Sequence, residues 1–285
     1  MKVLIFYSGG KDSQAALIWA VNKYGVEICE AVFCDTGWEN PVTYEHIKTT
    51  TNQLGVKLVT VKSAKYDGMV DLAKKKNRFP STKARFCTEE LKSKPAIDYV
   101  LSHSENLITI EGIRAKESFS RSKLNKECTY FKYYFEPTAN GKTHQYRKKD
   151  VYEWCKTYNA DKIRPLFTWS ADEVIDFIKE NGQTPNPLYY QGFTRVGCFP
   201  CIMSKHSELR LIYENHPEQW QNLKDIEKQT GNTFFGPSKI PKWAMKNKSF
   251  ATLEDIEKYL SDKNATLDMF EGEQPSCMSA YNLCE

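Results

Sequence analysis

The sequence has little of what a membrane or secreted protein requires. No apolar run approaches the ~20 residues of a membrane-spanning helix, and no segment with the composition of a secretory signal follows Met1. Positive and negative charges are nearly balanced, because 40 basic and 36 acidic residues leave a formal net charge of only +4. Such a balance does not by itself indicate nucleic-acid binding. We therefore expect a cytoplasmic globular protein with no membrane partner.

A disulfide framework is not indicated either. The nine cysteines are odd in number and unevenly spaced, and disulfides are rare in cytoplasmic proteins. Metal binding or redox chemistry is therefore the expected use of some of them. One stretch, residues 74–94, is rich in basic side chains. These fit either a solvated helix face or a basic wall beside a polyanionic ligand.

Apolar segments and turn signals alternate along the first part of the chain. Strands are predicted at residues 3–7, 28–34, 57–61 and 107–111. Helices are predicted between them at residues 13–23, 41–54 and 89–101, the last with Thr88 as its N-cap. This alternation predicts an α/β fold with a doubly wound, mostly parallel sheet. We divide the chain into a domain of residues 1–205, with an insertion at about 122–161, and a smaller helical, cysteine-containing C-terminal region, 206–285.

A glycine-rich turn joins the first predicted strand to the first predicted helix. Its residues are Ser8, Gly9, Gly10, Lys11, Asp12 and Ser13. Two glycines let successive backbone N–H groups point at one anion, and the following helix adds free N–H groups and the positive end of its dipole. The spacing differs from a Walker A loop, which has four residues between its glycines. Against the alternative of an ordinary Gly-Gly turn, the strand–turn–helix context predicts a phosphate-binding loop.

The turn SGGKDS resembles the signature of PP-loop ATP pyrophosphatases. That superfamily includes sulfonucleotide reductases, ATP sulfurylase small subunits, tRNA-thiolating enzymes and amidating synthetases. Further segments resemble one branch of it and keep that branch's order. They are VFCDTG at 32–37, RFCTEELK at 85–92, EGIRAKES at 111–118, the stretch 163–178 and GCFPC at 197–201. On these motifs the chain is identified as a member of the phosphoadenylylsulfate (PAPS) reductase family.

The resemblance implies a fold of the adenine nucleotide alpha hydrolase type that binds an adenine nucleotide, either PAPS, adenylylsulfate (APS) or ATP. It assigns phosphate binding to the PP-loop and places Arg114 against phosphate or sulfate, which a guanidinium can bind bidentately. The other residues that it assigns to nucleotide binding are Asp35, Thr36, Arg85, Lys92 and Gly112. The candidates for catalysis are Lys11, Arg114 and Cys284.

Two cysteines have the spacing of metal ligands. Cys198 and Cys201, in a Cys-x-x-Cys loop, can place two thiolates on one metal or cluster. Two more ligands are needed, and the resemblance offers Cys87, while Cys277 and Cys284 lie near the C-terminus. We favour a [4Fe–4S] cluster, with zinc as the alternative and inert buried thiols as a further interpretation. Cys284 can instead be the nucleophilic thiol of a reductase.

Several functions are compatible with these residues. The first hypothesis is a sulfonucleotide reductase, in which a thiolate attacks the sulfur of PAPS or APS and a thioredoxin-like dithiol releases sulfite. The second is an ATP-dependent sulfur transferase of the DNA phosphorothioation or tRNA thiolation type, which the intact PP-loop favours. It would split ATP into AMP and pyrophosphate, with Mg²⁺ held partly by Asp12 or Asp35 and a nucleic acid as partner. An ATP sulfurylase small subunit and a non-catalytic nucleotide or cluster sensor are further alternatives, and a homo-oligomer is compatible with each.

Overall fold

The computed structural model describes residues 1–262, which form a six-stranded sheet flanked by helices. The strands, β1 to β6 in chain order, are Lys2–Phe6, Cys29–Cys34, Lys57–Val61, Leu107–Ile110, Glu127–Thr129 and Ala160–Ile163. Their spatial order is β3-β2-β1-β4-β6-β5. Neighbouring strands are parallel except for β5 against β6. The expected α/β fold with a mostly parallel sheet is confirmed.

Strand β1 is the point at which the winding of the chain reverses direction. The chain moves from β1 to β2 and β3 on one side, and later adds β4 on the other side of β1. Because β1 and β4 are parallel, with Ile5 opposite Ile110, both strands end at the same edge of the sheet. Connections that leave this edge in opposite directions open a crevice, and open α/β sheets bind ligands in such a crevice.

Helices cover the sheet and form the C-terminal part. Within residues 1–262, α1 to α12 are Lys11–Tyr24, Pro41–Leu54, Met69–Lys76, Phe86–Thr88, Lys94–Leu101, Phe119–Ser122, Lys132–Phe135, Lys148–Trp154, Ala171–Glu180, His206–Asn215, Pro217–Thr230 and Leu253–Ser261. A π-helical turn, Glu89–Ser93, joins α4 to α5, and 3₁₀ turns are Val26–Ile28, Ala115–Glu117, Pro187–Gln191 and Lys242–Ala244. None of the helices in this part of the chain combines the length and the apolar character that crossing a membrane requires.

Three hydrophobic clusters hold these layers together. Helices α1, α2 and α9 pack on one face of the sheet, and α5 with residues 130–160 packs on the other. The third cluster joins α10, α11 and α12 to α3, so Leu209 and Ile256 share a core with Leu72. The C-terminal helices therefore pack directly on the first part of the chain. The expected helical C-terminal part is confirmed as far as residue 262, and its division from the rest at residue 205 stays a prediction.

Two of the differences between the structure and the predicted elements concern a helix cap and the insertion. The helical run predicted from residue 89 begins at Phe86, and Thr88 has helical backbone angles inside it. Thr88 does not cap the run because the backbone leaves the helix earlier, at Arg85, whose ψ is 53°. The insertion contains β5, α7 and α8, and leads into β6. Strands of three or four residues are too short for an alternating pattern to reveal them.

Candidate functional site

The PP-loop leaves the carboxyl end of β1 and turns directly into α1. Gly9 has a φ of +78°, and a Cβ there would lie 2.8 Å from Cγ2 of Thr43, so the loop packs closely on α2 only with glycine. The hydroxyls of Ser8 and Ser13 lie 3.2 Å apart, and Ser13 Oγ donates to the carbonyl of Gly10 at 3.0 Å. These bonds join the two ends of the loop beside the free N–H groups of α1.

A second glycine supports the loop from the side of β4. Gly112 lies two residues after the end of β4. A Cβ on Gly112 would lie 2.4 Å from the carbonyl oxygen of Asp12 and 2.6 Å from the backbone nitrogen of Ser13. Both are backbone atoms in a packed interior, which cannot move aside as the end of a side chain can. Gly112 therefore allows the connections after β1 and β4 to touch at the switch point.

Asp12 is the centre of a buried charge network under the loop. Its carboxylate accepts a hydrogen bond from Arg114 Nε at 2.5 Å and one from Lys11 Nζ at 2.9 Å. Arg114 is 6% exposed, and its Nη2 lies 3.9 Å from a carboxylate oxygen of Glu117. The guanidinium thus holds Asp12 in place, and Arg114 is not part of the cavity wall. Its expected role against phosphate or sulfate stays a prediction.

One cavity of about 270 Å³ brings the PP-loop and the Cys-x-x-Cys loop together. The predicted site residues that line it are Ser8, Gly10, Lys11, Asp12, Ser13, Lys92, Cys198 and Cys201. Its charged side chains are Lys11, Lys92, Arg195 and Lys205 against Asp12 and Glu117. This excess of cationic side chains, together with the start of α1, suits the cavity to an anionic ligand.

Tyr189 reaches the PP-loop from the 3₁₀ turn Pro187–Gln191. Its hydroxyl accepts a hydrogen bond from the backbone N–H of Lys11 at 3.1 Å, and Lys11 Nζ lies 5.5 Å from the centroid of its ring. Asn186 holds this turn, because its side-chain amide donates to the carbonyl of Gly9 at 3.2 Å. An N–H group at the start of a helix is the kind of donor that binds phosphate oxygens. The Tyr189 hydroxyl therefore stands where an oxygen of an anionic ligand would bind.

The thiols of Cys87, Cys198 and Cys201 are half-buried and pack against one hydrophobic cluster. Cys198 forms an isolated antiparallel bridge with Glu39, which ties the cysteine loop to the connection after β2. Burial raises the pKa of the Cys198 thiol well above its usual value, and the Lys92 ammonium opposes that rise. Negative charge on Cys87 or Cys201 raises the same pKa further. Cys87 and Cys201 therefore both lie within electrostatic reach of the Cys198 thiol.

Neighbouring thiols are the donors that zinc and iron–sulfur clusters take. The set is incomplete in the described part, because among residues 1–262 no group of three or more His, Cys, Asp or Glu side chains is arranged to hold a metal ion. The other proposed ligands, Cys277 and Cys284, lie outside the described residues. Thiolates suit a four-thiolate site by their chemistry, but within residues 1–262 these three thiols are not arranged as a group of three ligands, so the cofactor stays a prediction.

Besides Gly9, Gly112 and Arg114, three more residues predicted to bind the nucleotide do not line the cavity. Asp35 follows β2 and accepts a hydrogen bond from Tyr44 Oη at 2.6 Å. Burial would raise the pKa of Asp35, but the bond from Tyr44 and the Lys62 ammonium outweigh it, so the pKa lies below its usual value. Thr36 is buried beside it. Arg85 precedes α4, and its Nη1 is buried without a hydrogen-bond partner among residues 1–262.

Part of the cavity wall was not assigned from the sequence. The lining residues beyond the predicted set include Glu117, Tyr189, Thr194, Arg195 and Lys205. Most of them lie within about ten residues of the Cys-x-x-Cys loop, so proximity to that motif is the signal that could have identified them. The contact of Tyr189 with Lys11 joins residues 178 positions apart, and no local pattern contains it.

The sequence profile of the phosphoadenosine phosphosulfate reductase domain matches residues 2–204. This chain belongs to that family. An uncharacterized 37.8 kDa protein of Escherichia phage 186 is 29% identical over 306 residues, which cover 88% of this chain and 84% of the phage protein. An uncharacterized protein of Methanocaldococcus jannaschii is 27% identical over 227 residues, which cover 79% of this chain but only 41% of that protein. The chain thus spans less than half the length of this second relative.

A solved structure from the PAPS reductase group is also similar. The phosphate complex of PAPS reductase from Candida auris has a TM-score of 0.46 and 18% sequence identity, and the match covers 70% of this chain and 83% of that chain. A similarity at this level says nothing about the substrate of the present chain. The family match alone confirms the resemblance drawn from the motifs.

Replacing Gly112 with alanine should destabilise the fold and weaken nucleotide binding. The added Cβ would meet the backbone of Asp12, and overpacking of this kind typically lowers the free energy of unfolding by about 1–3 kcal/mol. Gly236→Ala is the matched control, because no atom lies within 4 Å of a Cβ built there. Urea denaturation and ATP titration by calorimetry would measure both effects. Equal stability of the two variants would contradict the proposed contact.

Removing the Tyr189 hydroxyl should strengthen the binding of a phosphate chain. In Tyr189→Phe the backbone N–H of Lys11 loses its hydrogen bond to the tyrosine, so a phosphate oxygen no longer has to displace it. One net hydrogen bond contributes about 0.5–1.5 kcal/mol, which corresponds to an affinity for ATP raised about two- to tenfold. Tyr190→Phe is the control, because Tyr190 is 70% exposed. Calorimetric titration with ATP measures the change. A fall in affinity specific to Tyr189→Phe would show that the hydroxyl is itself a ligand of the phosphate.

Proposed function

We propose that this chain is a sulfonucleotide reductase-like enzyme that binds PAPS or APS through its PP-loop and carries out thiol-dependent chemistry on the sulfur. The observation that carries the proposal is the single cavity lined by both the PP-loop and Cys198 with Cys201. A nucleotide with its phosphate at the start of α1 would direct its sulfate along this cavity toward the thiols. Membership of the family supports the same reaction class.

The charges along the cavity support this orientation. Lys11 and the start of α1 would bind the phosphate that leaves with the nucleotide. Lys92 acts on the Cys198 thiol and lines the same cavity, so its ammonium would lie at the sulfate end. Fixed cations at both ends would stabilise the negative charge that shifts from sulfate to phosphate as the bond between them breaks.

The proposed reaction has two steps. A cysteine thiolate attacks the sulfur, the bond between sulfur and the phosphate oxygen breaks, and the nucleotide leaves with the electron pair. The sulfonate is then bound to the cysteine. A thioredoxin-like dithiol attacks the sulfur of that cysteine, releases sulfite, and is itself oxidised to a disulfide as the enzyme thiol is restored. Cys284 is the proposed nucleophile, and it lies outside the described residues.

A second candidate is an ATP-dependent sulfur transferase that acts on a nucleic acid. The intact PP-loop favours it, since all of SGGKDS is present and five of its six residues line the cavity. ATP would be cleaved into AMP and pyrophosphate, with Mg²⁺ held partly by Asp12 or Asp35. The Asp12 carboxylate already accepts bonds from Arg114 and Lys11, so a metal would have to share it with two cations. Asp35 similarly has Lys62 at 2.9 Å.

We further propose that Cys198 and Cys201, with two of Cys87, Cys277 and Cys284, hold a [4Fe–4S] cluster. Bound there, it would supply charge and rigidity beside the cavity rather than electrons. The half-buried thiols and their apolar surroundings support this, because such a setting limits access of solvent to a cluster.

Incubation with PAPS, APS and ATP separates the two candidate reactions. Sulfite release from PAPS or APS in the presence of thioredoxin is expected, whereas pyrophosphate from ATP without sulfite would favour the transferase. Lys11→Met should slow either reaction about a hundredfold, since one preorganised charge at a developing anion has an effect of this order. Lys48→Met, at an exposed position on α2, is the control. The absence of both products would contradict both enzymatic proposals.

Anaerobic purification tests the cluster. We expect a broad absorption band near ~400 nm, iron and sulfide in equal amounts, and loss of both in Cys198→Ser. Cys155→Ser is the matched control, because Cys155 is also half-buried but packs in a different cluster, on the sheet. A colourless protein that contains zinc would overturn the proposal while leaving the nucleotide site unaffected.

A further inference from the structure

A surface outside the candidate site combines lysines with exposed aromatic rings. We call it the lysine–tryptophan surface, and it consists of Lys242, Trp243, Lys246, Lys248 and Phe250. Trp243 is 70% exposed and Phe250 is 41% exposed, and the three lysines are exposed as well. One exposed apolar side chain is ordinary in a folded protein. Two aromatic rings interleaved with three ammonium groups over nine residues form a more specific pattern.

The backbone that carries this surface is anchored to the core. Ile240 and Met245 are 3% and 6% exposed and belong to the hydrophobic cluster of α10, α11 and α12. The 3₁₀ turn Lys242–Ala244 lies between them. The Trp243 ring meets the buried Tyr259 edge to face, with 5.9 Å between the ring centroids. A ligand that stacks on Trp243 would therefore meet a ring on an ordered backbone, which lowers the entropic cost of binding.

The stretch that carries this surface has an uncompensated positive charge. Residues 231–253 contain four lysines and no Asp or Glu. Their charge of +4 equals the net charge of +4 of the whole chain, so the remaining residues are neutral in sum. Lys246 Nζ lies 3.4 Å from a carboxylate oxygen of Glu254, and this pair is exposed and therefore weak. The charge balance of the whole sequence hides this local excess.

Lys239 connects the surface to the candidate site. Its ammonium donates to the carbonyl of Ser204, and its own carbonyl lies 2.5 Å from Nε2 of His206. Ser204 follows Cys201 by three residues, and Lys205 lines the cavity that contains the PP-loop. The lysine-rich stretch is therefore joined, at Lys239, to the segment that lines that cavity.

A second cavity adjoins the surface at its other end. It has a volume of about 430 Å³ and lies between α11 and the start of α12. Phe250 forms part of its wall with Lys228 and Asn232, and the carboxylates of Glu227 and Glu254 line it as well. An aromatic face and side-chain hydrogen-bonding groups are features that hold a nucleobase, whereas the carboxylates leave the phosphates to the exposed lysines.

We propose that the lysine–tryptophan surface binds single-stranded nucleic acid. The ammonium groups would meet successive phosphates, and Trp243 and Phe250 would stack on bases, which offer their faces only when they are unpaired. A strand bound here would extend along Lys239 toward the rim of the cavity. The proposal goes beyond the proposed reaction, and it requires neither the sulfur chemistry nor the cluster.

Fluorescence anisotropy with a fluorescein-labelled 20-nucleotide oligo(dT) tests the proposal on the full chain. Trp243→Ala should weaken binding about fivefold or more, from the loss of one base stack. The double variant Lys242→Ala/Lys248→Ala should make the slope of log affinity against log salt shallower by about 1.4, since each single-strand phosphate contact contributes about 0.7. The tryptophan fluorescence of the wild type should be quenched on binding, and less so in Trp243→Ala.

Matched controls separate this surface from general charge effects. Phe135 is 50% exposed on α7, and Lys142 and Lys149 are exposed in the insertion, so Phe135→Ala and Lys142→Ala/Lys149→Ala should leave binding unchanged. Three results would each overturn the proposal: tighter binding to a 20-base-pair duplex, equal losses of affinity in control and test variants, or no binding to the oligonucleotide. The last result would make an acidic protein the partner to test next. None of these results depends on turnover of PAPS, APS or ATP, so failure of this proposal would not contradict the proposed reaction.

Discussion

The candidate site depends on one close contact between two pieces of backbone. The connection after β4 touches the start of α1 at Gly112, where no side chain separates it from Asp12 and Ser13. Because of this contact, Arg114 lies beside the Asp12 carboxylate, and the carboxylate in turn holds Lys11. The parallel pairing of β1 and β4 brings the connections after the two strands to the same edge of the sheet. The absence of a Cβ at Gly112 then allows the two backbones to touch. The position of the PP-loop lysine is thus set by a residue about one hundred positions away.

The cavity is built from two chemically different halves. One is backbone: the free N–H groups of a helix start, held by glycines and by serine hydroxyls. The other is made of side chains from the cysteine loop, where burial raises the pKa of the Cys198 thiol and the Lys92 ammonium opposes that rise. Lys92 lines the same cavity and acts on the Cys198 thiol. An ATP-cleaving enzyme and a reductase could each use both halves of the cavity, since the two reactions differ in what the thiols do.

The elements that sequence analysis predicted are those whose signal is local. Strands β1 to β4 are rich in apolar residues, and the PP-loop is a run of six residues, so the sequence predicts both. Strands β5 and β6 are too short to be predicted, and the prediction of Thr88 as a cap is wrong because the turn at Arg85 has no sequence signature. The burial of Arg114 and the hydroxyl of Tyr189 on the PP-loop could not be inferred, because each depends on packing between distant segments. A family motif assigns a residue to a site but does not say whether it faces the ligand or supports the residue that does.

The contact between Tyr189 and Lys11 has a kinetic consequence. At a helix start with no ligand, the backbone N–H group would have only water as its acceptor. An anion that is tightly bound to that N–H group would dissociate slowly. Here the tyrosine hydroxyl can replace a departing phosphate oxygen at the same N–H group, so the donor passes from one acceptor to another without an unsatisfied intermediate. If the proposed ligand binds here, the protein itself would assist product release, which limits the turnover of many enzymes. The affinity for the anion would be lower than at a helix start without the hydroxyl, and the site would empty more readily after each cycle.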